Sequence, residues 1–165
     1  MSAGITLEEL LAWNDDAAVR WKTHFEANPN QLELPCGIGG TANVQELMRH
    51  IWGAELRWAE RLAATPETPR ENIPAWPLDA LFEIHRKAVA IYRDLLAAPD
   101  EIWSGPYILK FDWVPENERT VSRRKIAAHA LFHSHRHWAQ LATLVRNAGF
   151  PSNIRGDLLF SPVLR

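Results

Sequence analysis

Four stretches of the chain repeat apolar side chains at the helical period, and this repetition limits the fold more than any other feature. The first runs from about Leu7 to Ala27. Thr6 precedes it and Glu9 follows three residues later, the capping-box arrangement in which each side chain serves the other's end of the helix. The second follows Asn43 and Glu46, which resemble another such box, and places apolar residues at 44, 47, 48, 51, 58 and 62. The third starts from Pro77, a suitable first helical residue, and repeats Leu78, Leu81, Phe82, Val89, Tyr92 and Leu96. The fourth begins near Val121 and runs to Asn147, with Gly149 as its stop. Four such helices, each with one apolar stripe, predict an all-α four-helix bundle rather than a layered sheet. The expected unit is one domain over residues 1–165, with long connections after helices two and three. The latter, around Gly105, Pro106 and Pro115, is expected to be extended chain or a short hairpin. The tail after Gly149 is apolar enough to pack on the bundle or on a second subunit.

Composition narrows the function. Eighteen basic and twenty acidic residues give a formal charge of −2. A balance near neutrality supplies no general attraction to phosphate backbones or anionic membranes, so nucleic acid is disfavoured as a partner and no membrane is expected. The N-terminus has no basic flank leading into an apolar core, and no apolar run is long enough to span a bilayer, so the expected location is cytoplasmic. Cys36 is the single cysteine, which excludes an intrachain disulfide, and "LPCGIGG" reads as a loop with no evident base beside the thiol. Eight tryptophans are read as bulky core and interface filler.

The chemistry concentrates in "HALFHSHRHWAQL", residues 129–141. At about 100° per residue, His133 and His137 lie within the apolar stripe, His129 at its margin and His135 on the far side, facing solvent. One helical turn brings the His133 and His137 imidazoles together. Burying both without a shared partner would cost about 1 to 3 kcal/mol each, a cost that a divalent metal relieves by taking a lone pair from each ring. HxxxH alone does not decide between a metal site and a hydrogen-bonded buried pair. A third ligand must come from His24, His50 or His85. His50 sits at the edge of the helix-two stripe, whereas His85, within "EIHRK", looks exposed and His24 lies near the end of helix one.

The segments "NVQELMRHIWGAELRWAERLAA", "HALFHSHRHWAQLATLVRNAGF" and "GDLLFS" resemble the DinB/YfiT-like proteins over nearly the whole chain. That resemblance implies a four-helix bundle, frequently a homodimer, in which one histidine of the second helix and an HxxxH pair of the fourth hold a divalent metal. Carried over by position, the ligands are His50, His133 and His137. Many members read like HxxHHRGQ where this chain has "HSHRHWAQ", so Trp138 and Ala139 depart from the pattern while the ligand spacing survives. Nitrogen ligands favour zinc or nickel over magnesium or calcium.

Three protein ligands leave open coordination positions for water or a thiol. The resemblance implies a small-molecule substrate and chemistry such as thiol S-transfer, with a low-molecular-weight thiol as co-substrate, or hydrolysis. The alternative is a non-catalytic, stress-related metal- or ligand-binding bundle, and a third is a bundle without metal. Glu55, close to the stripe of helix two, is either a hydrogen-bonded structural carboxylate or a base beside the site. Arg119, Arg123, Arg124 and Lys125 form either a solvated face or a grip for carboxylates. Trp103, Tyr107, Phe111 and Trp113 are either core or an apolar wall of the pocket.

Overall fold

A computed structural model describes residues 4–112, 114–150, 154 and 156–163 of the chain. The described chain is mainly helical. Helices α1 (Leu7–Ala27), α2 (Val44–Leu62), α3 (Leu78–Leu96), a short α4 (Asp100–Ser104) and α5 (Arg123–Asn147) are accompanied by two short strands, β1 (Pro106–Ile108) and β2 (Thr120–Ser122).

The helix starts follow from capping chemistry. Thr6 Oγ1 accepts from Glu9 N at 3.1 Å and Glu9 Oε2 accepts from Thr6 N at 2.7 Å, so the box at α1 is complete. At α2 only half of the expected box is made: Asn43 Oδ1 accepts from Glu46 N at 2.9 Å, without the reciprocal bond. Helix α5 begins at Arg123 rather than near Val121. Residues 120–122 pair antiparallel with 106–108, and Ser122 then caps the helix by accepting from Lys125 N at 3.1 Å. The connection after α3 is thus the expected hairpin, preceded by α4, a helix not anticipated, which buries Trp103.

The four long helices form a closed ring in the order α1, α3, α2, α5, each packed chiefly on two others. Trp21 and Phe25 of α1, Ile51 and Trp52 of α2, Leu81 of α3, and Leu131 and Leu141 of α5 are fully buried inside it. The connection between α2 and α3 folds back over α2. Ile73 is 2% exposed there and fills the space that Gly53 leaves open, since a Cβ at residue 53 would lie 2.6 Å from Ile73 Cδ1. Cys36 is buried beside Thr41, whose hydroxyl lies 3.3 Å from Sγ, so the thiol serves loop packing. In the tail, Phe150 and Ile154 pack against the core while Leu159 is exposed. The rest of that expectation, at residues 151–153, 155, 164 and 165, lies outside the described residues. Among the described residues no helix is long and apolar enough to cross a membrane.

Candidate metal centre

Helices α2 and α5 run antiparallel, and Arg123 Nη1 at the start of α5 donates to Leu62 O at the end of α2 at 2.8 Å. That alignment sets His50 of α2 opposite His133 and His137 of α5. One ring nitrogen from each of the three lies within 4.8 Å of the others. His133 Nε2 and His137 Nε2 are 3.2 Å apart. Two nitrogens held by one tetrahedral ion at about 2.0–2.1 Å would sit about 3.3 Å apart, so the observed pair fits such an ion with little movement.

The tautomers also suit metal. His137 Nδ1 lies 2.8 Å from Gln140 Oε1, an acceptor that fixes the proton on Nδ1 and leaves the Nε2 lone pair free. Gln140 was not singled out by sequence, although its position one turn beyond His137 is the place for such a partner. The Nδ1 of His133 is buried without a hydrogen-bond partner among the described residues. Burial pushes His50 down to about 4, reinforced by His137 and by the positive charges of Arg57, Arg70 and Arg136. Burial likewise lowers His133 to about 3, with His137, His50 and Arg136 adding to it. His137 is lowered by burial, against the opposing bond to Gln140. All three rings are therefore neutral near pH 7, the state in which imidazole ligates a metal.

His129 is exposed at the rim, its ring 5.7 Å from that of Trp58 and 6.1 Å from that of His133. Phe111 meets Trp58 edge to face at 5.7 Å, so of the four aromatics proposed as a wall Phe111 reaches this end of the cleft. Trp103 belongs to the core and Trp113 lies outside the described residues. Three of the four basic residues around the start of α5 have partners elsewhere. Arg119 donates to Val114 O, Arg123 to Leu62 O, and Arg124 lies 3.9 Å from Asp100, while Lys125 is exposed. Arg57, Arg70 and Arg136, whose charges act on His50, are the cations at the site. Arg57 could have been found in the sequence, because it lies two helical turns beyond His50 on the same face of α2.

Two histidines depart from expectation. His85 is fully buried, not exposed: its Nδ1 lies 2.6 Å from Glu55 Oε2 and its Nε2 3.0 Å from Asp15 Oδ1. His135 is half-buried rather than solvated, stacked on Trp13 of α1 with ring centroids 3.5 Å apart. Glu55 is the structural carboxylate of the two readings. Besides His85 it accepts from Asn14 Nδ2 at 2.8 Å and Ser134 Oγ at 2.6 Å, so its oxygens are turned into the core. Trp138 Nε1 donates to Asn14 Oδ1 at 3.3 Å, which assigns that unusual residue to the same network.

A helical chain that sets three histidines from two antiparallel helices around one point defines a class of bundle proteins able to hold a divalent ion. Residues 1–157 match the model of the DinB family, and the chain belongs to that family. Comparison with curated proteins returns no match.

Proposed function

We propose that the helical ring is a DinB-type four-helix bundle and that His50, His133 and His137 bind a divalent transition metal, zinc or nickel, in an enzyme acting on a small molecule. The observation that carries this reading is the convergence of three ring nitrogens within 4.8 Å, all from histidines held neutral by burial. When bound, the metal supplies Lewis acidity, which lowers the pKa of a coordinated water or thiol at positions the protein leaves open. The chain's own residues set the stage for that chemistry. Gln140 orients His137, and the neutral rings keep their lone pairs available. An open, mostly apolar groove of about 710 Å³, lined by Leu34, Pro35, Ile38 and Leu144 among others, reaches Gln140 on the Nδ1 side of His137, away from the ring nitrogens that converge.

The reaction class we favour is thiol transfer to a small electrophile, with a low-molecular-weight thiol as nucleophile. Glu55, the carboxylate considered as a base, is committed to Asn14, His85 and Ser134. A nucleophile activated at the ion needs no such base. The test is conjugation of a reactive electrophile by glutathione, bacillithiol or mycothiol, with the zinc- or nickel-loaded and the metal-free protein. Conjugation that depends on metal and is lost in His133→Ala is the expected result. Absence of metal-dependent turnover across the panel would replace the enzyme reading with that of a non-catalytic metal-binding bundle.

A further inference from the structure

The charges around the three histidines do not balance. Arg57 is half-buried on the His50 face of α2, about 10 Å farther along the helix axis. The charge of Arg57 acts on His50 across that distance. Among the described residues Arg57 makes no hydrogen bond or ion pair. Arg136 shares a face of α5 with His129 and His133, and its Nη2 lies 3.5 Å from His137 Nε2, again with no carboxylate partner. Arg70, in the connection above α2, offers its carbonyl to Arg49 while its own guanidinium is unpaired among the described residues.

Glu67 and Glu60, whose charges act on Arg57, have other hydrogen-bond partners. Glu67 is bidentate to Arg61 at 2.7 and 2.5 Å. Glu60 accepts from Thr68 N and Oγ1 at 2.7 and 2.6 Å. A half-buried guanidinium without a hydrogen-bond partner is costly, as at Arg57, and together with the exposed Arg136 it leaves an excess of positive charge beside three neutral rings. Loading a divalent ion would enlarge that excess.

We infer that Arg57 and Arg136 form an anion subsite beside the three-histidine centre and select ligands that carry a carboxylate. Arg57 lies on the α2 side and Arg136 on the α5 side, so a carboxylate between them exchanges water for charge-assisted hydrogen bonds from both walls of the cleft. Arg70 strengthens the field from the rim without closing the subsite. The selectivity is for the charged end of the ligand and is independent of which reaction occurs at its other end.

This inference rests on the reading of the three histidines as a metal site, and the experiment separates the two. Cobalt(II)-loaded protein is titrated calorimetrically with 3-mercaptopropionate and with its neutral amide, which share a thiol and differ in the carboxylate. The expected outcome is binding of the carboxylate form about tenfold or more tightly. Arg57→Gln and Arg136→Gln should each reduce that ratio and together bring it close to one, with affinity for the amide unchanged, which also shows that the variants remain folded. Arg57→Lys, which keeps the charge, should retain part of the preference. A ratio near one in the wild-type protein, a ratio that survives the double substitution, or failure of both probes to bind overturns the anion subsite. Failure to take up cobalt overturns the metal reading itself, and the subsite with it.

Discussion

Glu55 and His85 form a buried pair, with Oε2 and Nδ1 2.6 Å apart. Burial works against a charged His85, but the charge of Glu55 and the bonds to Asp15 and Glu55 outweigh it and raise its pKa to about 9. Asp15 moves the other way, lowered chiefly by its hydrogen bond to His85. His85→Ala leaves Glu55 buried without its cation, a loss of about 3–5 kcal/mol that should lower Tm by about 10 °C. The sign of the pH dependence follows from the raised value. His85 contributes fully below its ordinary 6.5 and its contribution fades as pH rises through about 9, while that of Asp15 is present above 3.8 and is lost on acidification. Urea unfolding of the wild type and His85→Ala should therefore differ more at about pH 6 than at about pH 9.5. An equal gap at both would show that charge is not what His85 contributes. The helical phase of His85 is inward, in register with Leu78, Leu81, Phe82 and Val89, whereas its charged neighbours in "EIHRK" suggest an exposed face. The inward pair His133 and His137 was correctly separated from His129 by the same phase argument.

At the scale of the elements, periodicity and caps located the four long helices, three of them within a residue of their observed starts. What they could not supply was the number of neighbours each helix has. His135 points away from α2, and a helix with one neighbour would give it to water. Helix α5 also packs on α1, so the far side meets Trp13 instead. The short α4 escaped notice because one turn of helix is too brief to establish a period. Gly53 shows how a connection is fixed to a helix: its missing side chain admits Ile73 and so holds the chain carrying Arg70 over α2. Gly53→Leu should displace that connection and cost about 1–3 kcal/mol by overpacking. Thermal unfolding measures the cost. Faster proteolysis between residues 63 and 77 would locate it, whereas an unchanged Tm would mean that the contact bears no load.

Across the whole molecule, two polar assemblies divide the work. The Glu55 network ties α1, α2, α3 and α5 together inside the ring through Asn14, His85 and Ser134. The three histidines bridge α2 and α5 at the cleft, with Arg57, Arg70 and Arg136 around them. Both draw on neighbouring positions of the same helices. Ser134 faces inward beside His133, and Glu55 lies little more than one turn beyond His50, so the buried network braces the two helices that present the three histidines. The sequence pattern singled out the inward pair His133 and His137 directly, and His50 as the proposed third ligand through family resemblance. The brace involves residues as far apart as Asn14 and Trp138, which only the folded ring brings together. The most direct test of the account is metal content by elemental analysis of the purified protein, compared with His133→Ala and His135→Ala. The account predicts one divalent transition ion per chain in the wild type and in His135→Ala, and its loss in His133→Ala. Stoichiometric metal that persists in His133→Ala would contradict it.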